Sequence, residues 1–142
     1  MSPDLVLALN RHADKWGGGD GAFPTAIDGL SVMRAGSPTL PAPRIYRPAL
    51  CVVAQGAKRI MQGEAVFDYR EGEVLVIGLE SPALGEVTRA SAERPFLGLN
   101  LDLDVQIMRE VLAQLKPPPR PVAGGGGTFV GKLVEPLADS LV

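Results

Sequence analysis

Residues 48–104, PALCVVAQGAKRIMQGEAVFDYREGEVLVIGLESPALGEVTRASAERPFLGLNLDLD, decide the fold. This stretch is built from short runs of Val, Leu, Ile, Phe and Tyr, with Gly or Pro interrupting them about every six to twelve residues. Short strands at this spacing are typical of an all-β sandwich or barrel. The same texture extends upstream to Ala26. The sequence therefore predicts a mainly β domain.

Seven strands are predicted in this region. They are residues 30–34, 50–55, 58–61, 65–69, 74–77, 84–88 and 96–103. Gln62-Gly63 and residues 70–72 are turn signals, because glycine supplies the positive φ that tight turns need. We expect them to join consecutive antiparallel strands as hairpins.

The last predicted strand has the clearest alternation. Leucines occupy every second position, and small or polar residues lie between them: Leu97, Leu99, Leu101 and Leu103 against Gly98, Asn100 and Asp102. A strand with this period has one apolar face and one polar face. We expect the leucines to pack into a core, and the other face to meet water or a barrel lumen.

Two helical regions flank the β region. Residues 3–15 read as a short amphipathic helix, with Pro3 at the first helical position. Asp104 is a plausible N-cap for a helix over 105–115. The apolar stripe of that second helix is Ile107, Met108, Val111, Leu112 and Leu115.

A segment rich in Pro and Gly, residues 116–127, follows the second helix, and residues 129–142 return to a helix-compatible pattern. No stop signal closes this last pattern, so we expect the sequence to end inside a helix, as an excised domain would. The predicted organisation is an N-terminal helix and loop (1–24), a β-barrel (25–103) and C-terminal helices (104–142).

Composition excludes several functions. With 14 Lys+Arg against 16 Asp+Glu the net charge is −2, so these residues lack the positive field that binds nucleic acid. There is no apolar run of about 20 residues and no basic, apolar leader, so we expect a cytoplasmic protein with no membrane partner. One Cys cannot form an intrachain disulfide, and one His with one Cys cannot build a closed zinc site.

Several pieces of the β region match one protein family in order and spacing. The matching pieces are residues 48–56 (PALCVVAQG), 72–77 (GEVLVI), 85–88 (GEVT) and 99–104 (LNLDLD). In order and spacing they resemble the N-terminal cupin-like domain of AraC-type transcriptional regulators. The resemblance covers roughly residues 25–115.

The resemblance implies a fold and a function. The fold would be a cupin-like double-stranded β-helix, a jelly-roll barrel, with flanking helices on its N- and C-terminal sides. The function would be effector sensing and dimerisation in a transcription regulator, without enzymatic activity. DNA binding would come from a C-terminal helix-turn-helix domain that this sequence lacks.

One departure concerns metals. Metal-binding members of the wider cupin fold carry histidines in the hairpin that corresponds to residues 56–72, and this sequence has none there. Lys58, Arg59, Gln62, Glu64 and Asp68 are the polar residues it offers instead. We therefore predict a barrel that binds no metal and no cofactor.

Five residues are candidate ligand contacts: Met33, Tyr46, Cys51, Phe67 and Asn100. Core packing is the first interpretation of the apolar ones, but inward residues of a barrel can also line a ligand site.

The cations Arg34, Arg44, Arg47, Lys58, Arg59 and Arg70 are interpreted first as parts of mixed solvated faces. The alternative is that arginines at the barrel mouth bind an anionic ligand.

Two further expectations concern partners. The stripe from Ile107 to Leu115 is too apolar for one small barrel to cover, so it predicts a homodimer. An unidentified small molecule is the other expected partner. The alternatives to a regulator are a free-standing cupin-like enzyme and a metal-free binding module.

Overall fold

The computed structural model describes residues 3–17, 19–103, 106, 110, 113–114 and 128–132. Its first helix is α1 (Pro3–Lys15), and Gln106 and Glu110 are also helical. The strands in chain order are β1 (Gly21–Pro24), β2 (Leu30–Ala35), β3 (Ala42–Tyr46), β4 (Ala49–Gln55), β5 (Ala57–Gln62), β6 (Ala65–Arg70), β7 (Glu73–Ile77), β8 (Ser81–Arg89), β9 (Phe96–Asp102) and β10 (Thr128–Lys132).

The strands form two antiparallel sheets that face each other. The first sheet has the order β1-β2-β9-β4-β7-β10, and the second has the order β3-β8-β5-β6. The pairings β2·β9, β3·β8, β4·β7 and β5·β6 are nested, so the chain forms one long hairpin wound into a barrel. This winding is a jelly roll, or double-stranded β-helix. The predicted fold class is confirmed.

The prediction that consecutive strands pair was partly wrong. Within the described residues, only β1·β2 and β5·β6 pair as neighbours in sequence. The turn at Gln62-Gly63 is a hairpin as expected, whereas residues 70–72 carry the chain from one sheet to the other. Gly56 (φ +92°) and Gly72 (φ +80°) lie at two of the crossings between the sheets, β4 to β5 and β6 to β7, where the strand direction must change between layers.

Three strands were missed by the sequence analysis. β1 lies in the predicted N-terminal loop, and β3 lies in a segment to which no strand was assigned. β10 corrects the prediction of a helix over 129–142, because residues 129–132 extend along the edge of the first sheet and pair with β7. Tertiary pairing with an open sheet edge thus outweighs the apolar helical spacing there. Residues 133–142 lie outside the described part of the chain.

The middle of the first sheet is buried on both faces. Every residue of β4 is buried, with Leu50 and Val52 on the side of α1 and Cys51 and Val53 on the side of the second sheet. The leucine face of β9 packs under the helix as predicted. This outer cluster contains Leu5, Leu9, Val32, Leu50, Val52, Ala54, Val74, Val76, Leu97 and Leu99.

Helix α1 has the bounds that the sequence predicted, and polar contacts attach it to the sheet. Arg34 of β2 donates to Asp14 at 2.9 Å and to Asn10 at 3.3 Å. The Nε2 of His12 donates to the carbonyl oxygen of Pro24 at 2.7 Å, so this histidine links the helix to β1. Within the described residues, no helix has the length and apolarity to cross a bilayer.

The crossing at Gly56 is the most constrained backbone position of the barrel. A Cβ there would lie 2.5 Å from the carbonyl oxygen of Arg89 and 3.2 Å from the Cα of Phe96. We expect Gly56→Ala to lower the free energy of unfolding by about 3 kcal/mol, since it combines a positive φ with a backbone clash. Urea unfolding measures this change. Gly72→Ala is the matched control with a loss of about 1 kcal/mol, because a Cβ there meets no atom within 4 Å. Equal losses in the two variants would contradict the role of the clash.

Candidate functional site

The space between the two sheets is filled at one end and open at the other. Large side chains such as Ile60, Phe67 and Leu75 pack the closed end. At the other end a cavity of about 200 Å³ remains between the sheets. Protein interiors normally contain few voids larger than a water molecule, so a cavity of this size is a candidate binding site.

One wall of the cavity is a polar row across the first sheet. Ser31, Asn100 and Cys51 are register neighbours on β2, β9 and β4. The Cys51 thiol donates to Oδ1 of Asn100 at 2.9 Å. The row follows from strand alternation, because Leu99 and Leu101 on either side of Asn100 face the helix.

The opposite wall comes from the second sheet and contains a buried cation. Lys58 of β5 is only 6% exposed and lies in register between Val87 of β8 and Tyr69 of β6. Among the described residues, no carboxylate lies within 4.0 Å of its ammonium group. Lysine is almost never this buried without a partner.

Burial shifts the pKa values of the groups inside the cavity. Burial lowers the pKa of Lys58, and the nearby Cys51 opposes part of this lowering. Burial raises the pKa of Cys51 to about 11 against the opposing effect of Lys58. Burial also raises the pKa of Tyr69 well above its usual value. Cys51 and Tyr69 are therefore neutral near pH 7, and neither supplies a counter-charge for Lys58.

The mouth of the cavity carries further charge. Arg44 and Arg47 line it and are exposed, and Asp102 is the acidic residue of its lining. A neighbouring cavity of about 480 Å³ shares Arg44, Lys58 and Tyr46 with the first. Lys58 is thus bordered by both cavities.

The predicted ligand contacts fall mostly on this cavity. Met33, Tyr46, Cys51 and Asn100 line it, whereas Phe67 is buried in the closed end and does not. That they bind a ligand stays a prediction. The predicted dimerisation residues Ile107, Met108, Val111, Leu112 and Leu115 lie outside the described residues.

Lys58 is buried, so the interpretation that it belongs to a mixed solvated face is wrong. Its neighbour Arg59 does lie on the exposed face, where it pairs with Asp68 at 2.7 Å and with Glu86 at 3.6 Å. Alternation along β5 places Lys58 on the inner face with Ile60. Tyr69 also lines the cavity, although it is not among the five predicted ligand contacts. In the described part of the chain, no three His, Cys, Asp or Glu side chains converge as a metal site would need.

The buried thiol predicts a pH dependence of stability. Because the folded-state pKa of Cys51 is raised from 9.0 to about 11, the unfolded chain loses its proton first as the pH rises. Stability therefore falls with pH from about 9 upward, and the folded state loses about 1 kcal/mol by pH 10 through this group.

Chemical unfolding at pH 8 and pH 10 tests this prediction against the Cys51→Ser variant, which lacks the titrating group. Lys58, Arg44, Tyr69 and Asp102 surround this position in both proteins, so the difference between the two proteins reports the titration of Cys51 together with its effect on the pKa values of Lys58 and Tyr69. A wild-type protein that loses no more stability than Cys51→Ser over this pH range would contradict the prediction.

Comparison with known proteins identifies the family. A model of the AraC-type transcriptional regulator N-terminus matches residues 26–142. Among solved structures, the chain is similar to a cupin-2 domain containing protein from Shewanella frigidimarina NCIMB 400, with 10% sequence identity and a TM-score of 0.46. That match covers 70% of this chain and 97% of the other. Among curated proteins none matches the chain. Since the family match spans most of the sequence, the chain belongs to the family of AraC-type transcriptional regulator N-terminal domains.

Proposed function

We propose that this domain binds a small-molecule effector in the cavity between its two sheets and so acts as the sensing part of a regulator. The observation that carries the proposal is the cavity itself, an opening of about 200 Å³ at one end of a packed barrel. Its lining combines apolar surface with a few placed polar groups, which is the usual make-up of small-molecule sites.

The position of the cavity supports a sensing role. Its lining residues come from strands of both sheets, among them Met33 of β2, Tyr46 of β3 and Tyr69 of β6. A ligand in this place bridges the two layers, so its binding free energy adds to the stability of the barrel. Ligand occupancy is thereby coupled to the rigidity of the strands around it.

The other parts of regulation belong to the same proposal. The stripe from Ile107 to Leu115 would join two copies of the domain. A helix-turn-helix domain outside this sequence would bind DNA, because the net charge of −2 does not suit these residues for that role. The domain itself would act in the cytoplasm without catalysing a reaction.

Ligand-induced thermal stabilisation tests effector binding. At a concentration one hundred times its Kd, a ligand that binds only the folded state adds about 2.7 kcal/mol to stability. For a domain of this size, the melting temperature should then rise by several degrees. A panel of small metabolites of all charge types is screened by differential scanning fluorimetry, and hits are confirmed by calorimetry.

A matched pair of variants locates the binding. Ser31 lines the cavity, so Ser31→Leu should fill its mouth and remove the thermal shift produced by any hit. Ser37 is exposed and lies outside the cavity lining, so Ser37→Leu should leave the shift unchanged. A panel without hits would overturn the proposal. So would hits that raise the melting temperatures of Ser31→Leu and Ser37→Leu equally.

Dimerisation is tested separately by light scattering of the purified chain. We expect a dimer at high protein concentration, and Leu112→Glu should convert it to monomer by placing a charge on the apolar stripe. Ala113 is exposed and outside the stripe, so Ala113→Glu is the control and should stay dimeric. A wild-type monomer at all concentrations would count against dimerisation through these residues.

A further inference from the structure

The charges that line the cavity are unbalanced. Arg44, Arg47 and Lys58 contribute three positive charges, and Asp102 contributes one negative charge. Across the described residues, none of these four side chains takes part in an ion pair within 4.0 Å. The other cavity groups do not correct the imbalance, because the raised pKa values of Cys51 and Tyr69 keep both of them neutral.

The positive charges differ in depth. Both arginines are exposed at the mouth, where water solvates them, whereas Lys58 is 6% exposed. An ammonium without a counter-charge in a site largely shielded from water is unfavourable, whereas an apolar side chain at the same position would carry no such cost. An anionic group brought by a ligand would provide the counter-charge that the protein does not.

The remaining lining and the volume indicate what the ligand carries besides its charge, and the neighbouring cavity of about 480 Å³ that also borders Lys58 adds to the space. Met33, Tyr69 and Phe96 give the cavity an apolar surface next to Lys58. A cavity of about 150 Å³ with apolar walls accepts one benzene molecule. The cavity here, about 200 Å³, therefore has room for one ring-sized apolar body and one small charged group.

We propose that the ligand of this cavity is a small organic monocarboxylate, whose carboxylate lies against Lys58 and whose apolar body lies among Met33, Tyr69 and Phe96. This proposal rests on the proposed function, since it names the class of effector for the same site. A single buried cation matches a single negative charge. Phosphates, in contrast, are usually held by several donors. Here the two arginines are exposed at the mouth, and Lys58 is the buried cation of the lining.

Neighbouring polar groups fit this orientation. The Oδ1 of Asn100 accepts from the Cys51 thiol at 2.9 Å, which leaves the Nδ2 of Asn100 as a donor on the cavity wall. The exposed arginines at the mouth attract anions toward the opening before they reach Lys58. A cationic ligand would meet net repulsion at every stage of entry.

Pairs of probes that differ only in charge test the proposal. Benzoate, cyclohexanecarboxylate and 3-methylbutanoate are each compared with their own primary carboxamide by calorimetry on the whole chain. We expect at least one acid to bind at least tenfold tighter than its amide, because a hydrogen bond to a charged group is stronger than one between neutral groups. Inorganic phosphate is included as an anion without an apolar body.

Two variants of neighbouring residues on β5 assign the preference to Lys58. Lys58→Met keeps the length of the side chain without its charge, and it should fold because it removes a buried cation. It should lower the affinity for the acid at least tenfold and leave that for the amide nearly unchanged. Arg59→Met removes a cation from the opposite, exposed face, where Arg59 pairs with Asp68, and should not change acid binding.

The outcomes separate this inference from the proposed function. If the amides bind as tightly as their acids, or if the acid preference survives in Lys58→Met, the proposal that the ligand is a carboxylate held by Lys58 is wrong. The proposal that the cavity binds an effector would still stand. If inorganic phosphate binds as tightly as the acids, the proposal that the ligand has an apolar organic body is wrong. If none of the probes binds while a neutral metabolite of the wider panel does, the carboxylate alone fails. If nothing in either panel binds, both proposals fail.

Discussion

The double burial of β4 is the constraint on which the rest of the structure depends. A strand in the middle of a sheet with an apolar residue at nearly every position must be covered on both faces. Helix α1 covers one face through Leu5 and Leu9, and the second sheet covers the other. The nested pairings of the barrel satisfy this requirement, because they return the second sheet to a position opposite β4.

The difference between the two faces of the first sheet also decides where a ligand site can form. On the helix side of the first sheet, Val52, Val74 and Leu97 belong to one apolar cluster with α1. Arg34, the register partner of Leu97, is already bonded to Asp14 and Asn10 of that helix. On the inner side, the residues change in size along a single row. Asn100 and Cys51 leave space near β9 and β4, whereas their neighbour Leu75 on β7 fills it. The cavity lies where the small and polar members of the row are.

Much of the fold could be predicted from the sequence, because local signals coincide with the tertiary arrangement. The alternation of Leu97 and Leu99 with Gly98 and Asn100 is a property of the strand itself, and the structure preserves it. Which strands pair is not a local property. A turn such as residues 70–72 has the same glycine signature whether it closes a hairpin or carries the chain to the other sheet.

Strand β10 shows again that pairing cannot be predicted from local sequence. Thr128, Phe129 and Val130 are extended because β7 offers them an unpaired edge. Their own sequence is compatible with either a strand or a helical stripe, so only the position of β7 distinguishes the two. Four of the five residues predicted as ligand contacts line the cavity, because inward positions on β2, β3, β4 and β9 converge there.

The inner position of Lys58 could have been predicted from the sequence. Gln62 pairs with Ala65, so the hairpin between β5 and β6 has a two-residue loop, and such a loop fixes the register. That register places Lys58 opposite Tyr69, on the same face as Phe67. The alternation of Phe67 and Tyr69 with polar neighbours marks this face as inward. Apolar character alone could not decide, because Ile60 and Met61 point to opposite sides of β5.

The inner face of β5 thus has a polar residue at each end, and the two ends differ. Gln62 lies at the closed end and donates to the hydroxyl of Ser81, a partner that the protein itself provides. Lys58 lies at the open end beside a cavity, and no carboxylate of the described residues reaches it. Among the described residues, Oε1 of Gln62 and the hydroxyl of Tyr46 in the cavity lining are also buried without a hydrogen-bond partner. Lys58 differs from them because it carries a charge, so a ligand anion at the open end of β5 would supply what the described residues do not.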